Sequence, residues 1–119
     1  MPKIMLYEDA RGNFLVNDFV SAIQCGGGGK VVRVQIEQIQ TKMKLLEKSG
    51  TFTGSGFSKH LRGDVWELKT GKNRILFFPW KGDTYVLLHA FRKTTNQTPS
   101  QEIEQAEREI KDWVNNHGH

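Results

Sequence analysis

Between residues 59 and 93, short runs of apolar and aromatic residues alternate with turn-forming residues. The runs span residues 65–68, 75–80 and 85–91, and the gaps between them contain Gly71 and Gly82. Runs of this length, separated by short gaps with glycine, are typical of consecutive antiparallel strands joined by hairpins. Residues 3–7 form another β-rich run near the N-terminus. The pattern therefore predicts four strands, three of them in one meander.

Two segments ahead of the meander place apolar residues at helical spacing. In the first, Leu15, Phe19 and Ile23 recur every four residues, and Asn13 precedes them as a candidate N-cap. The second spans residues 30–48, where the apolar positions follow a 4-3-4-3 pattern: Val32, Ile36, Ile39, Met43 and Leu46. The glycines at residues 26–29 predict a flexible link between the two helices. We therefore expect an antiparallel helical hairpin.

A third helix follows the last strand, and its start is marked by several agreeing signals. Thr98 is the predicted N-cap, Pro99 takes the first helical position and Gln101 completes a capping box. A buried stripe of Ile103, Ala106, Ile110 and Trp113 is predicted opposite a solvated acidic face that consists of Glu102, Glu104, Glu107 and Glu109.

The predicted order of elements is β-α-α-β-β-β-α, within a single domain that spans residues 1–119. This order indicates an α+β fold with a mainly antiparallel four-stranded sheet. The helical hairpin is expected to cover one face of the sheet, and the C-terminal helix to dock nearby. Residues 51–58, rich in Gly, Ser and Thr, are predicted to form a loop that leads into the sheet.

Charge is concentrated in the predicted sheet. The whole chain has a net charge of +4, whereas residues 59–93 contain eight Lys and Arg against three Asp and Glu. A basic sheet points to nucleic acid or another polyanion as partner. Cys25 is the only cysteine, so no internal disulfide can form. No apolar run approaches the roughly 18 residues that a membrane helix needs, and the N-terminus shows no signal-peptide pattern. We therefore expect a soluble cytoplasmic protein.

The hairpin geometry predicts a cationic cluster at one edge of the sheet. Because the chain reverses at each turn, the predicted strand ends bring Lys69, Arg74, Arg92 and Lys93 to the same edge. Cations that converge in this way usually have an anionic partner. The alternative is that each is an ordinary solvated surface residue.

The motifs of the C-terminal half resemble one protein family. They are KHLRG at residues 59–63, VWELK at 65–69, NRILFF at 73–78, HAFRKTT at 89–95, TP at 98–99 and EIEQA at 102–106. Their order and spacing are similar to those of the HigB-like branch, often called phage Gp49-like proteins, of the RelE/ParE toxin superfamily. The resemblance implies a RelE-like fold and the toxin of a type II toxin–antitoxin system.

Such toxins are mRNA endoribonucleases that act on the ribosome and inhibit translation. The resemblance implies a helix-turn-helix, HigA-like antitoxin as partner, in a complex that can be a heterotetramer. The superfamily also contains ParE-like toxins directed at gyrase, which is one alternative. A non-catalytic nucleic-acid-binding or ribosome-binding module that uses the same basic sheet is another.

RNA can be cut without a metal or cofactor when its 2′-OH attacks the adjacent phosphate. The candidate catalytic residues are Lys69, Arg74, His89, Arg92 and Lys93. In these roles the arginines bind phosphate oxygens and the lysines supply charge or shuttle protons. His89 or His60 is the acid–base candidate.

Several of these residues have a structural role as the alternative to a catalytic one. His89 lies between apolar neighbours and is equally consistent with a core histidine. Glu67 can pair with a nearby cation or act as a base.

The candidate RNA-binding residues are Lys59, His60, Arg62 and Lys72.

Overall fold

A computed structural model describes residues 3–27, 29–50, 57–95 and 97–118. They form five strands and three helices: β1 (Lys3–Leu6), α1 (Leu15–Cys25), α2 (Lys30–Ser49), β2 (Ser58–Arg62), β3 (Val65–Thr70), β4 (Asn73–Trp80), β5 (Thr84–Arg92) and α3 (Ser100–His117). Residues 51–56 of the loop predicted at residues 51–58 lie outside the described residues, as does Gly28 of the predicted glycine link. Ser58, the last residue of that predicted loop, begins β2. None of the described helices is long and apolar enough to span a membrane.

The strands form one mixed sheet in the order β1-β5-β4-β3-β2. β1 runs parallel to β5, and every other pair is antiparallel. The prediction of an α+β fold is confirmed, but the prediction of four strands missed β2. This edge strand pairs Lys59 with Glu67 and has a single large apolar residue, Leu61, so it shows no apolar alternation. Polar edge strands with lysine are common because they discourage further pairing.

α1 and α2 cover one face of the sheet, as expected, and α3 docks on the opposite face. Side chains alternate between the faces of a strand. Ile75 and Phe77 of β4 therefore pack with residues of α1 and α2. Leu76 and Phe78 face the other way and pack with Ala106 and Trp113 of α3. We call these the α1/α2 face and the α3 face.

The predicted helix caps differ from the observed ones. The N-cap of α1 is Phe14 rather than Asn13, and the N-cap of α3 is Pro99 rather than Thr98; neither makes a side-chain capping hydrogen bond. The side chain of Asp9 accepts hydrogen bonds from the backbone N–H groups of Arg11 and Asn13, both at 2.9 Å. Asn13 therefore belongs to the turn before α1.

Candidate nucleic-acid interface

The strand register brings the predicted cations to one end of the sheet. Lys69 on β3 lies opposite Arg74 on β4, and Arg92 on β5 lies opposite Asn73. The backbone N–H of Lys93 donates to the carbonyl oxygen of Lys72 at 2.9 Å. The backbone positions of these residues therefore lie at one end of the sheet, as the hairpin pattern predicts.

The same register separates the side chains onto the two faces. Arg74 lies opposite Lys69 and Phe91, on the face that packs against α3. Arg92 lies one position further along β5 than Phe91, so it is on the α1/α2 face. The predicted cluster of four cations is thus divided, with Lys69 and Arg74 apart from Arg92.

A buried carboxylate lies at the centre of the cations on the α3 face. Glu67 is 1% exposed. Its Oε1 is 3.8 Å from Nε of Arg74 and 4.0 Å from Nζ of Lys93, and it accepts a hydrogen bond from the hydroxyl of Thr98. Lys59 occupies the cross-strand position opposite Glu67. We refer to Glu67, Arg74, Lys93 and Thr98 as the Glu67 site.

Arg74 is held by the turn that precedes it as well as by Glu67. Its Nη1 donates to the carbonyl oxygens of Gly71 at 2.6 Å and of Asn73 at 2.9 Å. Its Nε is buried and has no hydrogen-bond partner among the described residues, because Glu67 is too distant for a hydrogen bond. Arg74 is therefore fixed in place, and only part of its donor capacity remains for a ligand.

His89 is a buried histidine held by two carboxylates of α3. Its Nδ1 is 2.6 Å from Oε1 of Glu109, and its Nε2 is 3.0 Å from Oε1 of Glu102. Burial of the ring opposes protonation, but the hydrogen bond and charge of Glu109, followed by those of Glu102, outweigh it. The net effect raises the pKa of His89 above its ordinary value of 6.5. Both ring nitrogens are thus engaged, which is the geometry of a satisfied core histidine.

The carboxylates that hold His89 were not predicted as its partners. Glu102 and Glu109 were expected on the solvated face of α3, but Glu109 is 6% exposed and Glu102 is partly buried. The helical spacing in the sequence does indicate that both carboxylates lie on the buried side. Glu102 and Glu109 lie four residues before and three after Ala106, at the same helical spacing as the buried stripe.

The predicted RNA-binding residues are spread over several surfaces. Lys59 is exposed on the α3 face. Arg62 is also exposed, and its Nη2 forms an ion pair with Glu107 at 2.6 Å. His60 lies on the opposite face, where Nε2 is 2.6 Å from the carbonyl oxygen of Gly63 and the ring lies 5.3 Å from that of Trp66.

Lys72 and Arg92 line a groove between α2 and the turn that joins β3 to β4. The groove has a volume of about 400 Å³, and its α2 side carries Lys30, Val31 and Val34. We call it the α2 groove. It lies on the α1/α2 face, across the sheet from the Glu67 site.

Among the described residues, no group of three His, Cys, Asp or Glu side chains is arranged to hold a metal ion.

The family model for phage derived protein Gp49-like matches residues 32–111. The match covers more than half of the 119 residues, so the chain belongs to the Gp49-like family. No curated protein sequence matches the chain.

The fold is similar to that of a chain in the crystal structure of the archaeal RelE–RelB complex from Pyrococcus horikoshii OT3. The TM-score is 0.54, the sequence identity is 12%, and the alignment covers 78% of this chain and 96% of that chain. The resemblance to Gp49-like proteins and the RelE-like fold are therefore confirmed, and at this identity the structural likeness concerns the fold alone.

Proposed function

We propose that this protein is the toxin of a type II toxin–antitoxin pair and that it cuts mRNA on the ribosome, as HigB-type toxins do. Membership of the Gp49-like family and the fold shared with a chain of a RelE–RelB complex support a toxin with a protein antitoxin. The observation that carries the nuclease proposal is the set of cations on the α3 face at one end of the sheet: Lys69, Arg74 and Lys93.

The proposed reaction is attack of a ribose 2′-oxygen on the adjacent phosphorus. The bond between phosphorus and the 5′-oxygen breaks, which leaves a 2′,3′-cyclic phosphate and a 5′-OH. The 2′-OH proton passes to a base, and the 5′-oxygen receives a proton. Negative charge grows on the phosphorane oxygens, where Lys69, Arg74 and Lys93 stabilise it. This scheme needs no metal ion or cofactor.

Glu67 positions these cations. With its side chain 1% exposed, it cannot reach an RNA 2′-OH, but its charge holds Arg74 and Lys93 against the sheet. Lys69 is only partly buried, and its side chain forms no ion pair with a described residue. The proposed proton transfers are from the 2′-OH to the amine of Lys69 and from the ammonium of Lys93, beside Glu67, to the 5′-oxygen.

The other predicted catalytic residues have different environments. His89 is 4% exposed, so a direct acid–base role would require the start of α3 to move away from the ring. Arg92 lies across the sheet and is not positioned for the same phosphate. Lys59 extends the positive charge of the α3 face and is the best placed of the proposed RNA-binding residues.

The proposed partners are the ribosome, its mRNA and a HigA-like antitoxin with a helix-turn-helix domain, and the site of action is the cytoplasm. The rival function is a non-catalytic RNA-binding or ribosome-binding module. The burial of His89 between two carboxylates favours this rival, because it removes the candidate acid–base histidine of the α3 face from the surface, and His60 lies on the opposite face.

Primer extension on a reporter mRNA in a reconstituted translation reaction tests the proposal. Wild type is compared with Lys93→Ala and Arg74→Ala, with and without ribosomes. The matched control is Lys44→Ala, which removes one exposed cation from α2. Circular dichroism establishes that each variant is folded.

The endoribonuclease would be supported by new 5′ ends within codons that appear only when ribosomes are present. These ends should persist in Lys44→Ala and be lost in both Lys93→Ala and Arg74→Ala. Intact mRNA with blocked translation would favour the binding module. Intact mRNA with normal translation would exclude both and direct attention to gyrase.

A further inference from the structure

α2 carries two apolar surfaces, and only one of them is used by the core. Ile39 and Leu46 are buried against the sheet. Val31 and Val34, near the start of the helix, point elsewhere and are 73% and 40% exposed. Both valines line the α2 groove. Because residues three apart on a helix are neighbours, the two valines form one exposed aliphatic patch in the groove.

The groove is built by specific contacts between α2 and the sheet. The side-chain amide of Asn73 donates to Oε1 of Gln35 at 3.0 Å. Gly71 has a φ of 69°, a backbone conformation that favours glycine, and it lies beside the side-chain amide of Gln38. The glycine turn and the hydrogen bond between Asn73 and Gln35 together hold the two walls of the groove beside each other.

The charged residues at the groove are all positive. Lys30 lies on the helix side, and Lys72 and Arg92 lie on the strand side. No carboxylate and no aromatic ring occurs among the described residues that line the groove. None of the three cations forms an ion pair with a described residue. The groove therefore combines two exposed valines with a rim of three cations that have no ion-pair partner among the described residues.

We propose that the α2 groove is where an acidic amphipathic segment of the antitoxin docks. Aliphatic side chains of such a segment would pack on Val31 and Val34, and its carboxylates would pair with Lys30, Lys72 and Arg92. RNA fits less well, because a groove for unpaired bases needs aromatic rings on which they stack. The identity of this partner rests on the proposed function.

Because the groove and the Glu67 site lie on opposite faces of the sheet, the antitoxin contacts the toxin away from the proposed cleavage site. Loss of this contact is then expected to release the toxin without damage to its activity.

The test uses the protein and its proposed antitoxin, a helix-turn-helix protein whose gene is sought beside its own, and affinity is measured by isothermal titration calorimetry. Val34→Asp places a carboxylate in the acidic segment's path, and Lys30→Glu reverses one charge of the rim. Phe14→Asp is the matched control. Phe14 is 41% exposed, lies outside the groove and occupies the N-cap of α1, where aspartate is favourable.

Val34→Asp is expected to weaken antitoxin binding by about tenfold or more, as loss of a central anchor does. Lys30→Glu is expected to weaken binding and to reduce its salt dependence, and Phe14→Asp to bind as wild type does. All three are expected to cut mRNA at the wild-type rate in primer extension.

Failure of this inference is distinct from failure of the proposed function. If wild type cuts mRNA but Val34→Asp binds the antitoxin as wild type does, the groove is not the docking site and the function stands. If wild type cuts no mRNA but Val34→Asp loses the antitoxin, the docking site stands and the nuclease proposal fails. RNA binding is measured with a 12-nucleotide oligo(U) probe. If Val34→Asp loses affinity for this probe while its affinity for the antitoxin is unchanged, the groove is an RNA site and the inference is overturned.

Discussion

Glu67 and His89 lie in one row across the sheet, with Leu76 between them, and both face α3. Their backbones are therefore roughly 10 Å apart, since neighbouring strands are spaced by about 4.8 Å. Thr98, just before α3, donates a hydrogen bond to Glu67. Glu102, in the first turn of α3, contacts His89. The start of α3 is thus held at two points of the row. The docking of α3 and the geometry of the cations around Glu67 are coupled as a result.

Glu67→Gln tests the positioning role of the buried carboxylate. The change leaves Arg74 and Lys93 without a counter-charge, while the amide oxygen can still accept from Thr98. Loss of the charge is expected to lower the free energy of unfolding by about 1–3 kcal/mol, measured by urea denaturation. Cleavage should fall with it. Glu47→Gln, an exposed change on α2, is the control, and equal stability of the two variants would contradict the role.

Stability is expected to fall as pH rises because of His89. The folded-state pKa is above 6.5, so the contribution of the imidazolium is fully present below the unfolded pKa of about 6.5. It is lost as pH rises through the folded pKa, because the neutral ring can donate to only one of its two carboxylates. Urea denaturation at a series of pH values from 6 upward measures this slope. His89→Gln should abolish it and His60→Gln should leave it, whereas a slope that survives His89→Gln would assign it to other groups.

Thr98→Val tests whether the threonine holds α3 to the sheet or caps the helix. The hydroxyl donates to Glu67 rather than to the first turn, so its loss is expected to cost about 1 kcal/mol through a buried hydrogen bond. Gln101 belongs to the predicted capping box but is exposed, so Gln101→Ala should change stability by less than about 0.5 kcal/mol. The stability of both variants is measured by thermal unfolding. An equal loss of stability in the two variants would support the capping box.

The division of the cations between two faces predicts unequal effects on cleavage. Arg74→Ala is expected to reduce the rate of ribosome-dependent cleavage by about 100-fold, as loss of one group that stabilises transition-state charge does. Arg92→Ala should reduce it by less than about tenfold, because its charge acts from the other face. Single-turnover cleavage of the reporter mRNA measures both rates. Similar rates would mean that both guanidinium groups contact the same phosphate.

The ion pair between Arg62 and Glu107 is expected to limit RNA binding. Glu107→Gln frees the guanidinium, which is exposed and 2.6 Å from the carboxylate in the wild type. If Arg62 then contacts a phosphate, the slope of log affinity against log salt concentration should steepen by about 0.7, the value for one contact with a single strand. Fluorescence anisotropy with oligo(U) measures the slope. If the double variant Glu107→Gln with Arg62→Ala shows the same steepening of the slope, the effect comes from long-range charge and not from a contact of Arg62 with phosphate.

The sequence alone determined the elements with strong internal patterns and the order in which they occur. The meander followed from apolar runs and glycine-containing gaps, and α2 from the spacing of residues such as Ile39 and Leu46. These signals are local, because backbone geometry fixes the side-chain period within each element. β2 escaped prediction because an exposed edge strand places little apolar constraint on its sequence.

Only the tertiary structure decided which residues meet. The sequence placed Arg74 and Arg92 at one end of the sheet, but their separation depends on a register in which Arg92 faces Asn73. The burial of Glu67 and the capture of His89 by Glu109 depend on how α3 packs across the sheet. A one-residue change of register moves a side chain to the opposite face, and that choice is made by contacts between segments far apart in the chain.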